Sequence, residues 1–320
     1  MPRVGHRVRA AASACIAVAQ PRTPSCRRRA ELRAHAAPRG GRAEPLERLV
    51  PNVAQHHRVA RQDGRPDGGG SRGGCSHCAA LGDHGNHAAS ARPPHQPHLP
   101  GSVFAFPGLP GSIKVYQDKL PIGRLITDLS SRHQLRESIV VVPTVFPGNR
   151  DTECVDATDG TLNMDTFVSS DLVDWVKANL RTVPTADGWA TLGYSAGGWC
   201  SSMFTLRHPH TFGSSVNLAG YFELHFDGAE LRALDDPAYS LARILRDEAP
   251  PVRIFFHAAK DDTMPYNSLT KTLPEVRTPT SFTASVIDTG GHAWPVWTAG
   301  AAAGLRWLGV SSPQFAWVAP

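Results

Sequence analysis

The first hundred residues of this 320-residue chain contain no Phe, Trp, Tyr or Lys, although the whole sequence has 12 Phe, 7 Trp and 5 Tyr. They contain 16 Arg against six acidic residues, a net charge of +10 in a chain of formal charge +5, so the other 220 residues carry −5. A segment without aromatic residues buries too little apolar area to offset the entropy lost on ordering. We therefore predict that residues 1–100 are a disordered tract and that residues 101–320 form one folded domain.

The sequence also lacks any apolar run of the 18 or more residues that a membrane-spanning helix needs, so no transmembrane segment is predicted. The Arg-rich tract has no interleaved aromatic side chains to stack on bases, which argues against a nucleic-acid partner. Two interpretations of the tract stay open. It is a native disordered segment, or it is what translation of GC-rich DNA from a wrong start produces, so that the native chain begins elsewhere.

Cysteine is scarce, with six residues in the chain. Cys75, Cys78, His84 and His87 are residue types that bind zinc, but only five residues separate the two pairs, too few for the small core of a zinc finger. We expect no metal ion and no organic cofactor. The basic start and the Ala17–Ala19 A-x-A pattern are a weak export signal, and slightly favour a location outside the cytoplasm.

From residue 101 onwards, short apolar runs alternate with segments of helical periodicity. Strands are predicted at GSVFAF, SIVVVP, GWATLGY, GSSVNLAG, VRIFFHA and SFTASVID. Helices are predicted at IGRLITDLSSRHQL, DTFVSSDLVDWVKANL with Asp165 as its cap, GGWCSSMFTLRH and VWTAGAAAGLRWLG. This alternation is typical of an α/β fold, in which a mostly parallel sheet lies between two layers of helices.

The segment LGYSAGG places Ser195 between a buried strand and a helix, in the pattern G-x-S-x-G formed with Gly193 and Gly197. This pattern is typical of the nucleophile elbow, in which small neighbours permit a strained turn around an exposed serine. The amide of Ala196, at the start of the helix, is predicted to donate to an oxyanion.

A serine nucleophile needs a base and an orienting carboxylate. His292 lies in a glycine-rich loop after the last strand, and is the predicted base. Asp261 follows the strand VRIFFHA and is the predicted acid, with its neighbour Asp262 as the alternative. The turn FPGLPG after the first strand of the domain offers the amide of Leu109 as the second oxyanion donor.

Three segments, VVVPTVFPGNRDTECVD, LGYSAGGWCSSMFTLRHPHTFGSSVNLAGYF and GGHAWPVW, resemble the "Putative esterase" (esterase D-like) family of α/β-hydrolases, most closely its actinobacterial envelope esterases. That family also includes enterochelin esterases and mycolyltransferase antigens. The resemblance covers about residues 100–310. It implies an α/β-hydrolase sandwich, Ser195 as nucleophile, Asp261 as acid, His292 as base, and the amides of Leu109 and Ala196 as oxyanion hole.

Two departures from the family stand out. Pro107 occupies a position where many hydrolases have His. The family's first strands should precede residue 101, and nothing in residues 1–100 has a strand pattern, so the sheet is expected to lack its first edge strands.

Further candidates follow the strand SIVVVP. Asp151 and Glu153 either line the substrate pocket or have a structural role in their loop, and Tyr194 is a third candidate pocket residue. Cys154 and Cys200 are the only cysteines of the folded part; they form a disulfide, or Cys200 is a buried free thiol.

Taken together, the sequence predicts a serine carboxylesterase that acts on a small-molecule or lipid ester through an acyl-enzyme. The first alternative is an acyltransferase to a sugar or lipid alcohol. The second is a catalytically silent scaffold, favoured if the truncated sheet does not fold.

Overall fold

The computed structural model describes residues 16–19, 99–160, 162–225 and 236–319. Seven strands in these residues form one sheet in the order β1-β3-β2-β4-β5-β6-β7. All six neighbouring pairs are parallel. The strands are β1 (Ile16–Ala19), β2 (Gly101–Phe106), β3 (Ser138–Pro143), β4 (Trp189–Tyr194), β5 (Ser214–Leu218), β6 (Arg253–Ala259) and β7 (Ser281–Ile287).

Helices follow most strands, as parallel connections require. They are α1 (Val115–Asp118), α2 (Ile122–Ser131), α3 (Met164–Thr166), α4 (Val173–Asn179), α5 (Ala196–Arg207), α6 (Leu241–Arg243), α7 (Thr263–Thr272) and α8 (Trp294–Ser311). π-helical turns at Phe167–Leu172 and Ile244–Glu248 continue α3 and α6.

The alternation of side chains along β5 shows that α5 and α8 cover opposite faces of the sheet. Asn217 donates to Ser202 of α5 at 2.9 Å. Its neighbour Val216 lies against α8, because a Cβ on Gly304 would approach the Val216 side chain to 2.4 Å. The fold is therefore a three-layer α/β/α sandwich, as the sequence predicts.

The central strands are buried on both faces, which explains their continuous apolar sequences. Every residue of β2, β4 and β5 is buried, whereas β7, at the edge of the sheet, is largely exposed or half-buried. The carboxyl ends of these parallel strands meet along one edge of the sheet, where sites of such folds form.

The expectation that residues 1–100 contain no strand is wrong at Ile16–Ala19, which pairs in parallel with Val140–Pro143 of β3. This strand occupies the edge of the sheet beyond β3, where the sequence predicts a missing strand. The sequence IAVA does not predict a strand, because a run of four small or β-branched residues is short and the segment around it is also rich in Ala. The rest of the predicted tract, up to residue 98, lies outside the described residues, as do Cys75, Cys78, His84 and His87.

The predicted strands and helices from residue 101 onwards are all present. One local detail differs, because Asn163 and not Asp165 occupies the position before α3. The buried Asp165 carboxylate instead pairs with Arg207 and, at 2.6 Å, with His208 at the end of α5. It joins two helical segments and does not cap one.

Candidate active site

Ser195 lies on a sharp turn between β4 and α5, with φ 55° and ψ −128°. A residue with a side chain adopts a positive φ only where its surroundings enforce it. Two glycines make this possible. A Cβ on Gly193 would lie 1.9 Å from the Gly197 carbonyl oxygen, and a Cβ on Gly197 would lie 2.1 Å from the Phe106 carbonyl oxygen. The G-x-S-x-G spacing therefore reflects direct backbone contact between strand, turn and helix.

His292 contacts Ser195 directly. Its Nε2 lies 2.8 Å from the Ser195 Oγ, and its Nδ1 lies 2.6 Å from an Asp262 carboxylate oxygen. The histidine side chain is 37% exposed and that of Asp262 only 10%. The imidazole thus joins a hydroxyl to a shielded carboxylate, while the ring itself is partly exposed to solvent.

The two neighbouring aspartates differ from the expectation, because Asp261 does not contact His292. β6 ends in a turn, in which the Asp262 amide donates to the Ala259 carbonyl. This turn directs the Asp262 side chain to the imidazole. The Asp261 carboxylate accepts hydrogen bonds from the amides of Gly291 at 2.9 Å and Gly290 at 3.1 Å, and these bonds hold its pKa below the usual value. Sequence order alone does not distinguish two adjacent carboxylates on a turn.

The predicted oxyanion donors flank Ser195. Ala196 is the first residue of α5, where amides have no partner within the helix. Gly108, just before Leu109, packs beside the serine, since a Cβ on it would lie 3.1 Å from the Ser195 Cβ. The turn that carries Leu109 is therefore adjacent to the serine.

Tyr194, the third candidate pocket residue, is buried beside Ser195. Burial raises the pKa of its hydroxyl, and a hydrogen bond with the Gly108 backbone lowers it in part. Its ring packs against Trp297 and Trp294, with centroid distances of 4.7 and 5.1 Å. Trp297 also presents an edge-to-face contact to His292 at 4.9 Å. Both tryptophans belong to the sequence GGHAWPVW. Their spacing of three residues at the start of α8 is the sequence feature that could have indicated their packing beside the site.

Glu153 is 1% exposed, and its contacts favour the structural role over the pocket position. Its carboxylate accepts from the Tyr221 hydroxyl at 3.1 Å and from the His225 amide at 3.0 Å. Asp151 is half-buried and accepts from the Glu153 amide at 3.0 Å, and burial raises its pKa. Glu153 therefore joins its loop to the segment that follows β5, and Asp151 orders the loop itself.

A disulfide joins Cys154 to Cys200, with the Cα atoms 5.7 Å apart. Both cysteines are fully buried. Next to the bridge, the Trp199 indole donates to the Glu153 carbonyl at 2.8 Å. The loop after β3 is thus tied to α5 one turn beyond Ser195.

Within the ranges given above, no group of three or more His, Cys, Asp or Glu side chains is arranged to hold a metal ion. No helix in these ranges combines the length and the apolar character needed to cross a membrane. The chemistry that this site offers is that of a hydroxyl, an imidazole and a carboxylate in one hydrogen-bonded line, the arrangement that activates a serine for attack on a carbonyl.

The three-layer sandwich and the turn at Ser195 define the α/β-hydrolase class. The chain belongs to one family of that class, whose model, described as "Putative esterase", matches residues 91–308. This membership confirms the resemblance recognised in the sequence and supports an ester-hydrolysing activity.

Known proteins similar to the chain agree with this assignment. The MPT51 antigen of Mycobacterium leprae is 35% identical over 79 residues. That alignment covers 24% of this chain and 26% of the antigen, so the chain matches about a quarter of this curated relative's length. Two solved structures share the fold with a TM-score of 0.54, a ferulic acid esterase at 16% identity and an S-formylglutathione hydrolase from Agrobacterium tumefaciens at 18%. Each of the two alignments covers 66% of this chain and 84% of the chain of the solved structure.

Proposed function

We propose that the protein is a serine carboxylesterase with Ser195 as nucleophile, His292 as general base and Asp262 as the acid. The observation that carries this proposal is the contact of the His292 ring with the Ser195 Oγ at 2.8 Å and with Asp262 at 2.6 Å. Both distances are within the range of a functioning triad. With the imidazole proton on Nδ1 and directed to Asp262, Nε2 is free to accept the serine proton.

The reaction follows from this proton arrangement. The Ser195 Oγ bonds to the ester carbonyl carbon while its proton passes to Nε2 of His292. The bond from that carbon to the alcohol oxygen then breaks, and the alcohol leaves with the proton from Nε2. Water next gives a proton to Nε2 and bonds to the acyl carbon. The bond from the acyl carbon to the Ser195 Oγ then breaks, the carboxylic acid departs, and Oγ takes the proton back from Nε2 of His292.

The amides of Leu109 and Ala196 are the proposed donors to the oxyanion of each tetrahedral intermediate. Their support is the position of Gly108 against the Ser195 side chain and that of Ala196 at the first turn of α5. Backbone donors fixed in this way need no rearrangement as charge develops, which is why such a pair contributes strongly to the rate.

The substrate is proposed to be a small-molecule or lipid ester, since the family is one of esterases. Transfer of the acyl group to an alcohol shares the first half of the reaction, and differs only in which hydroxyl compound attacks the acyl-enzyme. Partition between water and added alcohols, measured as ester product against free acid, separates hydrolysis from transfer.

We also propose that the protein acts outside the cytoplasm. The support is the buried Cys154–Cys200 disulfide, because such bridges persist in oxidising compartments. Fractionation of the native source followed by thiol counting tests this, and a cytoplasmic protein with both thiols free would contradict it.

The decisive test is labelling with a fluorophosphonate probe, together with turnover of p-nitrophenyl acetate. Ser195→Ala should lose labelling and reduce kcat about 10,000-fold or more. Ser202→Ala is the control, since Ser202 is a buried serine of α5, the helix that begins directly after Ser195. Labelling that persists in Ser195→Ala would reject the proposed nucleophile, and an unlabelled, inactive but folded wild type would favour the scaffold alternative.

A further inference from the structure

The loop that presents His292 is held by a carboxylate other than the one bonded to the imidazole. We name residues 289–293 the histidine loop. It follows β7 and contains Gly290 at φ 150° and Gly291 at φ 62°. Both values lie in the region that favours glycine. Because glycine adopts many conformations with similar energy, the backbone of the loop does not by itself favour this one path. Its path must be fixed by contacts from outside.

Asp261 supplies two such contacts, one with each carboxylate oxygen. One oxygen accepts from the Gly291 amide at 2.9 Å and the other from the Gly290 amide at 3.1 Å. A carboxylate that accepts two backbone amides is a strong acceptor pair and keeps a low pKa. Gly291 directly precedes His292, so a shift of its amide moves the imidazole.

Packing alone does not fix this loop. Gly291 has no atom within 4 Å of the position that a Cβ would take. A Cβ on Gly290 would lie 2.6 Å from the Val296 side chain, so packing limits the loop on its inner side only. Its outer side faces solvent, where Asp261 is itself exposed. The two hydrogen bonds are therefore the main restraint on that side.

We propose that Asp261 is a positioning residue, which holds the amides of Gly290 and Gly291 so that His292 lies between Asp262 and Ser195. This inference rests on the proposed function. Adjacent aspartates then have separate tasks: Asp262 orients the ring, and Asp261 orients the backbone that carries the ring. Neither substitutes for the other, because their side chains leave the turn in different directions.

The test compares Asp261→Ala and Asp261→Asn with Asp288→Asn. Asp288 lies just before the histidine loop and pairs with Lys260 at 2.7 Å, but it accepts no hydrogen bond from the loop glycines. Asp288→Asn therefore controls for the loss of one negative charge close to the histidine loop. Loss of its ion pair with Lys260 should change stability little, because exposed ion pairs contribute little to it. The three variants and the wild type are assayed with p-nitrophenyl acetate and by amide hydrogen exchange of peptides that cover residues 288–293.

Asp261→Ala should lower kcat about 10- to 100-fold with KM unchanged, as expected when a catalytic group is displaced by about 1 Å. Exchange at Gly290 and Gly291 should become faster, while the thermal midpoint stays near that of the wild type. Asp261→Asn retains one acceptor oxygen and should show a smaller loss. Asp288→Asn should match the wild type in both measurements.

Wild-type kcat in Asp261→Ala and Asp261→Asn, with or without faster exchange, would overturn the proposal while leaving the triad intact. An equal loss in Asp288→Asn would overturn it as well, since charge would then be the cause. Failure of the proposed function is seen separately, as turnover that survives in Ser195→Ala and His292→Ala. If Asp261→Ala does not fold, Asp261→Asn, which is isosteric, decides between the outcomes.

Discussion

The turn at Ser195 and the loops that carry Asp262 and His292 are built on different principles. The serine turn is buried, and backbone atoms of three segments approach it so closely that glycine alone fits at two positions. The acid and base loops are largely exposed and are fixed by hydrogen bonds between segments about 30 residues apart. Steric contact therefore positions the serine, and hydrogen bonds position its partners. Substitutions in the first region should affect folding, and those in the second should affect activity alone.

Among substitutions in the acid and base loops, the largest expected effect is that of Asp262→Asn. An amide cannot stabilise the imidazolium and favours the wrong tautomer of His292, so kcat should fall about 1,000- to 10,000-fold. The thermal midpoint should change little. A loss smaller than that of Asp261→Asn, measured with the same ester, would return the role of the acid to Asp261.

The disulfide next to the serine turn should contribute mainly to stability. It joins residues 46 apart in sequence, for which the chain-entropy model gives about 4 kcal/mol. The double variant Cys154→Ser/Cys200→Ser should lose roughly 3–4 kcal/mol of unfolding free energy, measured in urea. An unchanged urea midpoint would show that the bridge adds nothing to the contacts around it.

Gly193→Ala tests the steric half of the comparison. The added methyl would lie 1.9 Å from the Gly197 carbonyl oxygen, so strand and helix must separate, at a cost of roughly 2–3 kcal/mol together with most of the activity. Gly160→Ala is the control, because its φ of 71° is strained but its Cβ position is open. The control should cost about 1 kcal/mol and leave turnover intact. Equal destabilisation in both variants would remove the steric argument.

The smallest expected effect concerns His257 of β6, which is 4% exposed and lies beneath Gly300. Burial lowers its pKa from 6.5, and a hydrogen bond with Ser285 opposes the shift. Below pH 6.5, His257 therefore binds a proton more readily in the unfolded chain than in the folded protein. Its contribution to stability is complete above about pH 6.5 and declines as the pH falls through the folded-state pKa.

Urea unfolding between pH 5 and pH 7.5 measures this effect. His257→Gln, which does not titrate, should show a shallower decline below pH 6.5 than the wild type. If the unfolding free energy falls with pH equally in both proteins, the pKa of His257 is the same in the folded and the unfolded state.

The parts of this molecule that the sequence predicts are those in which neighbours along the chain determine the structure. The buried strands read as continuous apolar runs, and the small residues around Ser195 indicate its turn directly. The assignment of Asp261 and Asp262 depends on where glycines 30 residues away direct their amides, which no local pattern contains. Likewise, Ile16–Ala19 becomes a strand only because β3 has a free edge. For Glu153 the sequence leaves a pocket role and a structural role open, since nothing nearby in sequence indicates its contact with Tyr221.

The neighbouring aspartates at the end of β6 also constrain how this chain can change in length. Consecutive side chains on a tight turn face apart, so Asp261 and Asp262 reach different targets only while their distance from the last residue of β6 is kept. Loss of one residue before Asp261 would bring Asp262 to the loop amides and Thr263 to the imidazole, which would then lack a carboxylate. Among related sequences, substitutions at the other turn positions should therefore be frequent, and insertions or deletions there should be rare.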